Sequence, residues 1–348
     1  EIDQFFIYYL KSKLADTRGT AQKFDKDYHR VMFDDEFNSF LSLKHNPKKV
    51  KSFLQNEFKS FTNLYAKVFG YYKEYSPKQP FVYYNSLTEM DTQFLLILSA
   101  CVLNDTEEDE KIFLISRQVD RIFCLLQLQR SYNSNSFATE IYKLSSEIRD
   151  KQLAEIEPIF EKYLLTLLAD ARGVTVVEPI AYGFFKETGI ELEKRFKRYF
   201  FARIEQFIGE NTNMQMKQSL YDLVQNTGSK NGFHIEHILS ENVENKALFN
   251  NDEEYFERER NRLGGLLLLK GKDNISSNNE PYKKKLKSYA NTLYWNETLR
   301  DDTYKSKLDF TDMRKKHNLQ LRPMETFGPQ ELEERHKLLF DMIKIIWK

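Results

Sequence analysis

The run Phe233-His234-Ile235-Glu236-His237-Ile238-Leu239 sets two imidazoles and a carboxylate among apolar residues at 233, 235 and 238. On a short strand this spacing carries three side chains of proton-transferring or metal-ligating type into a small space. Histidine and glutamate are ligands that Zn²⁺ prefers, but the His-Glu-x-x-His helix of zinc proteases is absent and a strand does not present the side chains in that way. The bland alternative makes His234 and His237 satisfied polar residues at a strand edge.

The elements that must position these groups follow from turn residues and apolar runs. A helix from about Met214 to Val224 ends in Asn226-Thr227-Gly228-Ser229-Lys230-Asn231-Gly232, which opens the strand. A second strand is expected at Leu266–Leu269, after Gly264-Gly265. Beyond the polar loop Lys270 to Glu280, Pro281 suits the first turn of a helix through Tyr282, Leu286 and Tyr289. Strand, long excursion, strand and helix is the order of a ββα metal finger.

These residues carry a family resemblance. His237-Ile238-Leu239, then Asn261-Arg262-Leu263-Gly264-Gly265-Leu266-Leu267-Leu268-Leu269, then Asn274, Asn278-Asn279, Tyr282 and Lys285 resemble the HNH-type nuclease domain at the C-terminus of GmrSD-like, modification-dependent restriction enzymes. The resemblance covers some fifty residues in its core, and the flanking helices look similar. It implies a metal-dependent DNA endonuclease of a restriction or anti-phage system, with a catalytic set of His237, Asn261, Asn274 and Lys285. Glu236 and Asn274 would hold Mg²⁺ or Mn²⁺ through oxygen, and His237 would be the general base that deprotonates water. His234 and Asn278 are candidates for a supporting or phosphate-contacting role.

Two departures stand out. Ser240 lies close to where the family has Pro, and Gly265 stands where it has the Asn that orients the histidine. Asn261, four residues earlier, is the candidate substitute. Without a substitute, the chain would be a degenerate, non-catalytic DNA-binding module.

Charge fits a polyanionic partner only locally. The whole chain, with 52 Lys plus Arg and 52 Asp plus Glu, is neutral. Between Arg258 and Lys287, however, nine basic residues face three acidic ones, an excess suited to phosphate backbones. Arg262, Lys270, Lys272, Lys283 and Lys284 are the expected DNA contacts, on double-stranded DNA of phage or modified type.

At 348 residues with 41% hydrophobic and 30% charged content, two soluble domains are expected. The fold class is mainly α: a helical bundle over residues 1–190, then an α-rich domain over 191–348 with the ββα core at about 231–290. The bundle shows apolar residues three and four apart, as in Ile156, Ile159, Phe160, Tyr163 and Leu164. It resembles the linker that such enzymes place after an N-terminal ParB-like, NTP-hydrolysing domain, and it could alternatively be a scaffold for an NTPase partner. That domain is not recognisable here, so a separate subunit or a longer chain is expected, as the missing initiator Met also suggests; a homo-oligomer is compatible with this organisation.

Cys101 and Cys124 sit in apolar helical patterns and read as reduced core thiols. The apolar run Phe94 to Leu103 is too short for a bilayer, and the start lacks a signal sequence, so a cytoplasmic protein without membrane contact is expected. His29, His45, His317 and His336 are expected at the surface, and Trp295 and Trp347 as packing anchors.

Overall fold

The computed structural model describes residues 2–273, 279–306 and 308–348. The chain divides into two compact units. One comprises Glu1–Gln127 with Ser131–Pro179, the other Ile180–Lys348 with Leu128–Arg130. Both are built mainly of helices, and among the described residues the second alone contains a sheet, of two strands.

In the first unit the sequence periodicity dictates which faces are buried. Helix α1 (Ile2–Leu14) buries Phe5, Tyr9, Leu10 and Ser12, all on one side. Helix α2 (Lys59–Lys73) buries Phe61, Leu64, Tyr65 and Val68 at the same spacing. Helix α3 (Thr92–Ala100) is different: every side chain from Gln93 to Ala100 is buried, so it runs through the middle of the unit. That explains its continuous apolar sequence without any membrane, and among the described residues no helix is long and apolar enough to cross one. Its C-terminal carbonyls lack helical partners. They are met by lysine ammonium groups: Lys13 reaches Ser99 and Cys101, and Lys111 reaches Ala100. Helices α4 (Glu108–Leu128), α5 (Ser134–Ile148) and α6 (Leu153–Arg172) follow, the last ending at Gly173 with φ of +63°, the left-handed conformation glycine adopts at no steric cost. Cys101 and Cys124 are both buried, as their apolar pattern suggested.

The second unit is organised around helix α7 (Lys194–Asn211), which buries Phe196, Tyr199, Phe200, Phe201, Ile204, Phe207 and Ile208. Packed on it are strands β1 (Phe233–His237) and β2 (Leu266–Lys270), an antiparallel pair in the register His234 opposite Leu269 and His237 opposite Leu266. The four leucines of β2 are at most 1% exposed. Each contributes about 2 kcal/mol, and burial on both faces is why this strand reads as an unbroken apolar run. Helix α8 (Glu253–Arg260) lies in the excursion between the strands, and helix α9 (Tyr282–Ser288) follows β2, with Pro281 at its N-cap. The strand, excursion, strand, helix order expected from the sequence is therefore present.

Two further helices fix this core. Asn296, on the four-residue helix α10 (Tyr294–Glu297), donates to the Leu268 carbonyl at 2.8 Å, while Glu205 of α7 accepts from the α10 amides of Tyr294 and Trp295. Helix α11 (Pro329–Ile346) packs on the Leu263–Gly265 turn that leads into β2. A Cβ on Gly264 would lie 2.7 Å from the Leu332 carbonyl oxygen, so only glycine lets the helix come this close.

The region from Thr212 to Ser219 is not helical; the expected helix shrinks to Leu220–Gln225, opened by Ser219 as its N-cap. Trp295 and Trp347 are buried, as expected of packing anchors. His336, expected at the surface, is fully buried on α11, and His317 is half-buried, its ring 2.7 Å from the Asn211 side-chain oxygen.

Candidate active site

Strand alternation sends Glu236 and His237 to opposite faces, and the structure gives each its own partner. His237, at the last position of β1, is half-buried and faces the C-terminal end of α8. Its Nε2 lies 3.0 Å from Oδ1 of Asn261. The orientation of that amide is itself determined: Asn261 Nδ2 donates to the Glu257 carbonyl at 2.8 Å and approaches a Glu257 carboxylate oxygen at 3.3 Å. The oxygen that faces His237 can only accept, so Nε2 carries the proton and Nδ1 keeps its lone pair.

Asn261 thus contacts the His237 ring from a position four residues before Gly265. The reason lies in the backbone. A Cβ at 265 would sit 2.8 Å from the Arg260 carbonyl oxygen, so this glycine allows the end of α8 to fold against the turn. Asn261 is held from behind as well. A Cβ on Gly189 would meet the Asn261 carbonyl oxygen at 2.3 Å, and Arg262 ties the same corner to Glu259 and Glu333.

Burial pulls the His237 imidazole down to about 4, opposed by the bond to Asn261 and reinforced by the nearby Arg260 guanidinium. The ring is therefore neutral throughout the neutral pH range. Glu257 and Arg260 are contributors that sequence motifs did not single out. Glu257 is detectable in hindsight, since position i−4 on a helix faces Asn261.

On the other face Glu236 is 5% exposed and its Oε1 lies 2.5 Å from the Lys285 ammonium. Lys285 is itself 1% exposed and also donates to the His237 carbonyl oxygen at 2.8 Å. Two expectations change here. Lys285 cannot reach a substrate from the interior, and the Glu236 carboxylate already has an internal cation, so as arranged it does not fit the role of a metal ligand. Among the described residues no cluster of three or more His, Cys, Asp or Glu side chains is placed to hold a metal ion. Asn274 and Asn278 lie outside the described residues.

His234 sits on the face opposite His237, half-buried, with Nε2 3.4 Å from the Gly228 carbonyl oxygen. Gly271 packs beside it, since a Cβ there would be 3.2 Å from the ring nitrogen. Ser240 is buried and joins two loops, its hydroxyl donating to Glu280 and its carbonyl accepting from Asn245.

The basic residues sort into two groups. Lys272, Lys283 and Lys284 are exposed, as is Lys287, and Lys270 is half-exposed, its ammonium 5.8 Å from the Phe233 ring. Arg262, expected to touch DNA, is instead 4% exposed. Its guanidinium pairs with Glu259 at 2.8 Å and Glu333 at 2.7 Å, and Nε donates to the Lys186 carbonyl oxygen. It is a buried tie between α8, α11 and the segment before α7.

His336 completes the scaffold. Its Nδ1 accepts from the Gly264 amide at 3.0 Å and its Nε2 lies 2.9 Å from the Phe185 carbonyl oxygen, a pairing that requires the neutral ring; burial pulls this imidazole down to about 3.

The model of the GmrSD restriction endonucleases, C-terminal domain, matches residues 186–342. Searches of curated proteins and of solved structures return no match.

Proposed function

We propose that this chain, whose residues 186–342 match the model of the GmrSD restriction endonucleases, C-terminal domain, is a GmrSD-like nuclease of HNH type with His237 as the general base. The observation that carries this reading is the fixed tautomer: Asn261 accepts from Nε2, itself anchored by Glu257, and Nδ1 is left to take a proton from water. A neutral imidazole is ready for that step. A phosphodiester anion placed against it favours the protonated ring and raises its low affinity for the proton toward the working range.

The exposed lysines 272, 283, 284 and 287 supply sequence-independent attraction for the DNA backbone beside the strand pair. Recognition of modified or phage DNA, and any dependence on NTP, falls in this proposal to a ParB-like partner domain or subunit. Hydrolysis of this kind commonly uses a divalent cation to neutralise charge on the phosphate. With Glu236 paired to Lys285, the groups assigned a role in this chain are the proton acceptor and its positioning partners.

The test is nicking of supercoiled plasmid in Mn²⁺ buffer by this chain and by His237→Ala. Cleavage lost with that one change supports the assignment. Equal cleavage by both proteins refutes it. A second reading, a DNA-binding module without catalysis, is favoured by the pairing of Glu236 with Lys285; it predicts salt-sensitive DNA binding with no nicking by either protein.

A further inference from the structure

Glu236 and Lys285 come from elements far apart in sequence, β1 and α9, and meet in the interior of the finger. Their neighbours on the same elements behave differently. On α9, Lys283, Lys284 and Lys287 are exposed, and Lys285 alone among the α9 lysines turns inward. Its ammonium has two acceptors, and they are adjacent in the chain: the Glu236 carboxylate at 2.5 Å and the His237 carbonyl oxygen at 2.8 Å. The second bond is made to the backbone of the residue whose ring faces Asn261. A cation buried this deeply has no alternative partner in water, so the two bonds fix where β1 ends. They fix it at the peptide that determines the direction of the His237 side chain.

We propose that Lys285 and Glu236 are positioning residues for His237, a buried clamp that sets the base through its backbone carbonyl, and that Glu236 is not a ligand for a divalent cation. The clamp acts on one face of β1 while Asn261 acts on the other. The backbone of His237 is held by α9 and its ring by α8, which leaves the imidazole little freedom to turn. This inference rests on the nuclease assignment for its meaning, but its central claim concerns the geometry of His237 and is measured without cleavage.

The experiment uses the full 348-residue chain labelled with ¹⁵N at histidine, as wild type, Glu236→Gln and Lys285→Met. The ring nitrogens of His237 report its tautomer. Mn²⁺ binding is measured by electron paramagnetic resonance without DNA, and plasmid nicking is measured in parallel. Glutamine keeps an acceptor for Lys285 but removes its counter-charge, so Glu236→Gln is expected to lower Tm while leaving the Nε2-protonated His237 signal and the Mn²⁺ titration as in wild type. Methionine removes both bonds, so Lys285→Met is expected to lose the single Nε2-protonated signal and to slow nicking about ten- to a hundredfold, with the Mn²⁺ titration unchanged. Should Lys285→Met fail to fold, Lys285→Arg keeps the charge but moves the donors, and a displaced His237 signal is expected there. The proposal is overturned if Glu236→Gln weakens Mn²⁺ binding tenfold or more, or if the His237 signals are the same in the lysine variants as in wild type. If wild type does not nick DNA, the nuclease assignment fails while the imidazole signals still decide the clamp.

Discussion

Replacing Asn261 by leucine keeps the branched shape of the side chain and removes the acceptor for His237 Nε2. Three hydrogen bonds are lost, one to His237 at 3.0 Å, one to the Glu257 carbonyl at 2.8 Å and a longer one to the Glu257 carboxylate at 3.3 Å. Each is worth about 1 kcal/mol, so stability should fall by about 1–3 kcal/mol and the protein should remain folded. The catalytic cost is larger because the imidazole is free to swing and to exchange tautomers. Loss of such an orienting partner typically slows a site about ten- to a hundredfold, or about 1.4–2.7 kcal/mol in barrier. Asn261→Asp supplies the matching control. A carboxylate in place of the amide raises the proton affinity of His237 from about 4 by about one to three units. Glu257, whose carboxylate lies 3.3 Å from that amide nitrogen, repels the new charge and keeps the gain at the lower end. The assay is the rate of plasmid nicking at saturating DNA from pH 4.5 to 8. The acid limb should move to higher pH in Asn261→Asp, and the plateau should drop in Asn261→Leu. Nicking by Asn261→Leu within twofold of wild type at every pH would refute the claim that Asn261 orients the base.

The buried and exposed basic residues should separate cleanly. Replacing Lys283, Lys284 and Lys287 by glutamine should weaken DNA binding and flatten its salt dependence by about one unit of slope per lost phosphate contact, with no change in Tm. Arg262→Ala should instead destabilise the fold by about 3 kcal/mol in urea titration, because Glu259 and Glu333 lose their buried cation. Restoring the family's residue through Gly265→Asn should harm the site. The new Cβ falls 2.8 Å from the Arg260 carbonyl oxygen, and both a loss of about 1–3 kcal/mol and slower nicking are expected. The fourth prediction concerns acid. His237 at about 4 and His336 at about 3 bind protons more weakly in the folded chain than the 6.5 of an unfolded histidine. Unfolding therefore takes up protons between these values, and stability is present above pH 6.5 and lost as pH falls toward 4 and then 3. Two such groups give a slope of at most about 2.7 kcal/mol per pH unit, and His336→Gln should remove about half of the histidine contribution in urea titrations at several pH values.

Much of the finger was legible in the sequence because its signals are local. The turn before Phe233, the paired glycines before β2 and Pro281 before α9 all act within a few residues of themselves. The contact of Asn261 with His237 was also legible, since the residue type and its nearness to the Gly265 turn were visible. The direction of individual basic side chains was not. Lys285 shares the helix face of Tyr282, Leu286 and Tyr289, but a lysine there still reads as solvent-facing, and the acceptors that hold it inside, the Glu236 carboxylate and the His237 carbonyl, come from another element. The same holds for Arg262, whose acidic partner Glu333 is 71 residues away. His336 looked like a surface residue because its helix is charged, and its burial depends on Gly264 and Phe185, with which it shares no sequence pattern.

The contact between Gly264 and His336 bears on the order in which the chain becomes competent during synthesis. The turn that launches β2 leaves the ribosome some seventy residues before the imidazole that accepts its amide proton. A nascent chain can thus contain both strands, Asn261 and His237 while the turn beneath them still lacks its support. Until α11 arrives, the turn that leads into β2 lacks the acceptor for its amide, and the long helix that carries His336 comes in as the part that completes it.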